Sequence, residues 1–275
     1  MARDPDAKAL VEHFAKEGEL HLSAVMLEIE RAVLGCDYGG TSYTTRDEAD
    51  RVAGLLGLAP GRRLLELGAG SGWPGLYLAG ATGSDVALVD LPLEGLRAAA
   101  ARAAADRMTG ACWAVLADGA ALPFRSGSFD AVTHSDVLCC LEAKLEVLAA
   151  CRRVVRVDGR MVFTVISIAP GLSASDEERA RESGPPFVGA EIAYPTMLRR
   201  SGWRLTDRAD ITADYGEITR RLLGEWEARR DRLCELLGAA DLSETLARRR
   251  ARIKVIEAGL LRRELFAATA VAGNA

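Results

Sequence analysis

No uninterrupted apolar run in this chain is long enough to cross a bilayer as a helix, so membrane insertion is not expected. The opening residues, MARDPDAK, are charged and lack the apolar centre of a secretory signal; a cytoplasmic protein is expected. Histidine is scarce, with 3 residues, and none stands in an H-E-x-x-H arrangement. The 6 cysteines are scattered at 36, 112, 139, 140, 151 and 234, and none forms a C-x-x-C pair. No metal is expected on these spacings. Cys139 and Cys140 are adjacent, and read as buried thiols at a strand-to-helix junction rather than a redox pair. A basic excess is also missing. Lys and Arg number 35 against 39 Asp and Glu, which gives a net charge of −4. That balance argues against a dedicated nucleic-acid binder. Internal repeats and low-complexity tails are absent, apart from an alanine bias.

What is present is an ordinary globular composition, 49% hydrophobic and 27% charged. A chain of 275 residues can bury a core as one large domain, or as a domain with a cap. The stretch LLELGAGSGWPG, residues 64–75, organises it. An apolar strand runs into Glu66, then into Gly68, Gly70 and Gly72 at alternate positions. Glycines there bring bare backbone close to a ligand, and the following helix aims its N-terminal N–H groups at the turn. Pro74 suits the first helical turn, where its missing N–H costs nothing. Two cofactors fit such a turn. Gly70, Gly72 and Gly75 supply G-x-G-x-x-G, and Asp90 lies about 20 residues beyond Gly70, where a dinucleotide site wants its ribose acid. Glu66, Gly68, Gly70 and Gly72 equally supply E-x-G-x-G-x-G. The turn by itself leaves both open.

The rest of the chain has a clear rhythm. Residues 5–34 carry helical periodicity, and Gly18 is expected to divide them into two helices, with Gly35 as a stop. Residues 36–45, CDYGGTSYTT, form a loop that either covers a ligand or is an ordinary polar connection. A helix over 46–58 leads into strands at 62–67, 85–91, 111–117, 128–135 and 160–168, separated by helices at 73–81, 92–108 and 139–157. This alternation predicts a parallel sheet covered on both faces. Residues 169–190 read as a polar loop, 194–201 as a helix, 203–212 as a strand, 215–263 as helix and 264–272 as a final strand. The last two strands are expected to pair antiparallel at one sheet edge, with a helical insertion between them.

The segments LLELGAGSG, VALVD, LADGAALPFRSGSFDAV and HSDVLCCL together resemble class I S-adenosylmethionine-dependent methyltransferases of the small-molecule type. The resemblance covers roughly residues 40–170, and more loosely the terminal strand pair. It implies an α/β Rossmann-like sheet, mostly parallel with an antiparallel last strand. It also implies a helical N-terminal lid over 1–45, a core over 46–212, a helical cap insertion over 213–263 and the final strand over 264–275. S-adenosylmethionine is the implied cofactor. Its implied binding set is Glu66, Gly68, Ala69, Gly70 and Gly72 in the turn, Asp90 and Leu91 after the second strand, Ala117, Asp118 and Gly119 after the third, and Ser135 at the end of the fourth. Asp90 would accept both ribose hydroxyls, because a carboxylate has two acceptor oxygens. Asp118 would accept from the adenine amine.

The implied reaction is methyl transfer to N, O or C of a small-molecule acceptor, carried by a monomer or homodimer. A base is needed only where the acceptor must lose a proton. His134 is the histidine of the catalytic half, and with Tyr43 it forms the expected catalytic pair. Tyr38, Tyr194 and Tyr215 are further candidates for orienting an acceptor. The family often carries histidines where this chain has Cys139 and Cys140, which leaves an inherited base in question. The arginines at 229, 230, 248, 249, 250 and 252 read as solvated helix faces. A non-catalytic module binding the same cofactor and a nicotinamide-dependent oxidoreductase are the alternatives.

Overall fold

A computed structural model describes residues 5–272. Helices α1 (Pro5–His21), α2 (Ala24–Leu34) and α3 (Arg46–Leu56) precede the sheet. Then come β1 (Arg63–Leu67), α4 (Gly75–Thr82), β2 (Asp85–Asp90), α5 (Leu93–Ala105), β3 (Cys112–Leu116), β4 (Phe129–Ser135), α6 (Lys144–Val154) and β5 (Val155–Ile168). The chain ends with α7 (Ala174–Ser183), α8 (Tyr194–Arg200), β6 (Trp203–Asp210), α9 (Thr212–Ala228), α10 (Arg230–Leu237), α11 (Ala239–Glu257) and β7 (Leu261–Ala270). The seven strands form one sheet in the order β3-β2-β1-β4-β5-β7-β6. β1, β2, β3, β4 and β5 run parallel, and β7 pairs antiparallel with both β5 and β6. The expected mostly parallel sheet with an antiparallel last strand is the one found. No helix among the described residues is long and apolar enough to cross a membrane.

Alternation along the strands separates two cores. On β1, Leu65 and Leu67 join one apolar cluster with Leu148 of α6 and Phe163 of β5. Leu64 joins the other, with Val52 of α3 and Leu78 of α4. Burial on both faces is why these strands read as continuous apolar runs. A third cluster lies outside the sheet. Val25, Met26 and Ile29 of α2 pack with Trp226 of α9, Leu233 of α10, and Leu242 and Leu246 of α11. The N-terminal helices and the late helical insertion are therefore packed together, and a Glu28–Arg232 pair at 2.6 Å adds to the seam.

Several boundaries differ from the sequence reading. The first two helices part at Leu22–Ser23, while Gly18 stays inside α1. One glycine costs a helix only about 1 kcal/mol, which neighbouring turns absorb. The expected helix over 139–157 is shorter. Residues 138–140 make a single tight turn, where the Cys139 and Cys140 thiols donate to the Asp136 carbonyl, and α6 starts only at Lys144. β5 begins at Val155, pairs first with Phe129 and resumes at Arg160 after a bulge. The supposed loop over 169–190 contains α7, started by Ser173, whose hydroxyl accepts from Asp176 N. That cap is legible in the sequence, but the polarity of α7 hid it.

Candidate active site

In this strand order, β1 has β2 on one side and β4 on the other, so the carboxyl ends of β1 and β4 open onto the crevice where the connections diverge. The turn after β1 is fastened to β2. Gly68 N and Ala69 N both donate to Val89 O, at 2.8 and 3.1 Å. Gly70 N donates to Asp90 Oδ2 at 2.6 Å, and Leu91 N donates to Asp90 Oδ1 at 2.7 Å. Gly68 and Gly70 have φ of 65° and 49°, the left-handed region where a side chain is strained. A Cβ on Gly68 would stand 2.4 Å from Val137 Cγ2, so the exit of β4 closes directly on the turn. A Cβ on Gly70 would meet no atom within 4 Å, so the turn is open on that side.

Polar groups border this opening. Asp90 uses each oxygen once on backbone, and each keeps a lone pair for an outside hydroxyl. Burial raises its carboxyl above the usual range, and the bonds from Gly70 and Leu91 pull the other way. Ala117 N donates to Asp90 O at 3.1 Å, which brings the exit of β3 alongside. Asp118 is exposed. Its Oδ1 caps the turn at 119–121 through Ala120 N at 2.9 Å, and its second oxygen is free to accept an amine. Gly119 is buried against Leu67, and Ser135 ends β4 half-buried. Within the turn, Ser71 Oγ and Glu66 Oε2 are buried without a partner. An open glycine side, two acid-bearing strand ends and orphaned polar atoms suit a nucleoside carrying an amino-acid tail.

They do not suit a pyrophosphate. Glu66 Oε1 accepts from Gly75 N, the first residue of α4, at 2.9 Å. The carboxyl group thus occupies the helix N-terminus, the place a phosphate would need. A Cβ at Gly75 would stand 2.1 Å from Glu66 Oε2, so the helix start and the acid are in close contact. Burial pushes the Glu66 carboxyl well above its ordinary value. Among the described residues, no group of three or more His, Cys, Asp or Glu is placed to hold a metal ion.

The exit of β4 holds the other half of the site. Asp136 has φ 56° and directs its carboxylate to Arg263 Nε, at 3.0 and 3.1 Å. Arg263, on β7, is completely buried and grips Glu48 of α3 with both terminal nitrogens, at 2.7 and 2.8 Å. Burial works against its charge, but Asp136 and Glu48 outweigh burial and raise its pKa. Asp136 Oδ2 also accepts from Tyr43 N at 3.3 Å, so the 36–45 loop is tied to the strand end. The Tyr43 ring meets the Tyr215 ring edge-to-face at 4.7 Å.

Residues 65–163 match the family described as methyltransferase domain. The 27-O-demethylrifamycin SV methyltransferase of Amycolatopsis mediterranei is 29% identical over 207 residues, which is 74% of this chain and 76% of that protein. The chain is a methyltransferase with the class I fold. Its methyl donor is S-adenosylmethionine, and the residues of the β1 turn fit that cofactor as described. Solved structures share the fold. Phosphoethanolamine N-methyltransferase 2 of Haemonchus contortus has a TM-score of 0.77 at 16% identity, covering 94% of this chain and 60% of that one. The cyclase SpnF has a TM-score of 0.69 at 18% identity, covering 93% of this chain and 95% of that one. Likenesses this distant establish the fold alone, and one fold hosts several chemistries.

The methyltransferase keeps some of its expected acceptor residues together and separates others. Tyr43 and Tyr215 meet. Tyr38 lies elsewhere, 5.2 Å from the Trp73 ring and under the Arg102 guanidinium at 3.7 Å. Tyr194 is buried among Phe163 and Phe266. His134 has no exposed surface, stacks on Phe163 at 4.6 Å and has neither ring nitrogen hydrogen-bonded. Burial pushes its pKa down to about 3.

Three residues of the site escaped the sequence reading. Arg263 looked like part of the end of a helix. Asp136 lies within HSDVLCCL, which marks only the exit of a strand. Arg252 is expected on a solvated helix face, yet its NH1 donates to Tyr43 Oη at 2.8 Å and its Nε to Ser183 O at 2.8 Å.

Proposed function

We propose that this methyltransferase alkylates an oxygen of a small organic acceptor, held between the exit of β4 and the layer of α1, α2, α9, α10 and α11. The cofactor set is the one named from the sequence, with Asp90 receiving the ribose and Asp118 the adenine amine. Bound S-adenosylmethionine supplies an electrophilic methyl group on sulfur, and that sulfonium carries the hard chemistry. The N-terminal helices act as a lid and the late helices as a cap, excluding water from the acceptor.

The observation that carries this reading is the fixing of Tyr43 from two sides. Its N–H is held by Asp136 and its hydroxyl by Arg252, next to the strand end that closes on Gly68. Because Arg252 donates to the Tyr43 oxygen, the phenolic O–H points away from the guanidinium and is available to an acceptor oxygen. Orientation of this kind supplies up to about 7–11 kcal/mol of a displacement barrier. The relative acting on 27-O-demethylrifamycin SV supports oxygen as the acceptor atom and an organic molecule as its bearer. His134, enclosed and stacked, serves packing in this reading; Tyr43 orients the acceptor oxygen, and the acceptor proton passes to solvent.

The test is an acceptor screen with mass detection of a single added methyl, run on the intact chain and on Tyr43→Phe. Oxygen acceptors should dominate the hits, and Tyr43→Phe should lower kcat about 10- to 100-fold while leaving S-adenosylhomocysteine affinity unchanged. Methylation confined to nitrogen or carbon, or an unchanged kcat in Tyr43→Phe, would sink the reading.

A further inference from the structure

Arg249 and Arg252 stand one turn apart on α11 and face the same interior. Arg249 lies in the helical stripe that buries Leu242, Leu246 and Ile256, a stripe otherwise apolar. Its guanidinium rests 4.2 Å from the Trp226 ring, its Nε is enclosed without a partner, and it makes no hydrogen bond among the described residues. Arg252 bonds only to neutral oxygens, those of Tyr43 and Ser183. Neither guanidinium forms an ion pair with a carboxylate among the described residues. The arginines around them do: Arg248 with Glu244, Arg250 with Glu227, Arg229 with Glu225.

Holding two half-buried like charges one turn apart without counter-charge is costly, and no carboxylate among the described residues pairs with either. Asp136, the carboxylate at the exit of β4, is already committed to Arg263. Glu17 of α1 acts on both guanidiniums from a distance, but its side chain is 39% exposed and 3.9 Å from His13. The cation–π contact with Trp226 compensates Arg249 in part and leaves its N–H groups free. A guanidinium fork with unused donors, enclosed beside Tyr43, matches a planar or tetrahedral oxyanion.

We propose that Arg249 and Arg252 seat an anionic group of the methyl acceptor, a carboxylate or a phosphate. The proposal rests on the acceptor lying beside Tyr43, and it names the acceptor's chemical class. The acceptor is thus an acid whose methylated atom is separate from the group the arginines hold. The pair contributes to specificity, since a neutral analogue leaves both guanidiniums unpaired in an enclosed site.

The experiment measures benzoate, phenyl phosphate and benzamide binding by ligand-observed NMR, on the full chain saturated with S-adenosylhomocysteine. One of the two anions should bind about tenfold tighter than benzamide, and the tighter of them identifies the group. Arg249→Gln should reduce that anion to the benzamide level, and Arg249→Lys should restore part of the difference. Arg249 makes no hydrogen bond among the described residues, so its variant keeps the fold even where Arg252→Gln does not. Equal binding of anions and benzamide, no anion binding in the millimolar range, or an anion affinity untouched by Arg249→Gln would overturn the proposal. Glu17→Gln separates the remaining case. Anion selectivity that emerges only in that variant assigns the counter-charge to Glu17 and overturns the proposal as well. Failure of the Tyr43 reading is seen separately, in the kcat of Tyr43→Phe, which does not enter these binding measurements.

Discussion

Arg263 Nε lies 3.0 Å from Asp136 Oδ1, although 127 residues separate the two in sequence. The pair joins the last strand to the exit of β4, and Glu48 on the other side of the guanidinium adds α3. Thr44 and Thr164 hydroxyls accept from the same Arg263 nitrogen, at 3.3 and 3.1 Å. One buried cation thus holds the exit of β4, the loop before α3 and the neighbouring strands β5 and β7 in a fixed relation. Arg263→Met would leave two buried carboxylates unpaired, at a cost of about 3–5 kcal/mol. Thermal unfolding should show that loss. Asp136→Asn should cost less stability and act mainly on acceptor KM, because Tyr43 N then loses a charged acceptor. An unchanged melting temperature in Arg263→Met would contradict this role.

Asp90→Ala should weaken S-adenosylmethionine and S-adenosylhomocysteine binding by more than about tenfold in titration calorimetry, as expected when a charge-assisted hydrogen-bond acceptor is removed. The loss should exceed that of Asp118→Ala, whose carboxylate is exposed and partly engaged in capping. NAD should bind neither protein, since Glu66 fills the start of α4.

His134→Leu should keep kcat within a few-fold, whereas loss of a general base would cost about 10²–10⁴-fold. The pH dependence of stability gives a second reading. The folded pKa of about 3 lies below the unfolded value of 6.5. Between those values the unfolded chain binds the extra proton, so His134 costs nothing above pH 6.5 and progressively destabilises the fold as pH falls toward 3. His134→Leu should therefore flatten the acid limb of the melting curve. A steep acid limb in the variant would place the sensitivity elsewhere.

Glu66 has the opposite slope. Its folded pKa lies well above 4.5, so the folded protein holds the proton longer than the unfolded chain. Stability from this group is complete below the unfolded pKa and falls as pH rises through the window up to the folded pKa. Asp90 contributes in the same direction. Between pH 5 and pH 8, ligand-free Glu66→Gln should lose less melting temperature than the parent chain. An equal loss in both proteins would mean that Glu66 ionises freely in the folded state.

Much of the core was legible because local rules governed it. Leu64 to Leu67 and Val86 to Val89 are buried on both faces, so their apolar runs announce strands. Glu66, the alternate glycines and Asp90 occupy positions fixed by one turn and one strand end. The misplaced elements lacked such signals. α7 is polar nearly throughout and shows no stripe, while β5 begins directly at the end of α6 with no turn residue between them.

The sequence by itself determined the order of the strands, the glycine turn after β1 and the acids at the exits of β2 and β3, since these depend on periodicity and on spacing over a few residues. Tertiary structure alone decided which polar side chains are enclosed and what faces them. Arg249 and Arg250 are neighbours of identical type, yet one is turned inward onto Trp226 and the other is paired with Glu227 at the surface. His134 similarly carries a residue type suited to catalysis and lies in a place where desolvation keeps it neutral. Burial and long-range pairing set the charge and reach of a side chain, and both arise from contacts between segments far apart in the chain.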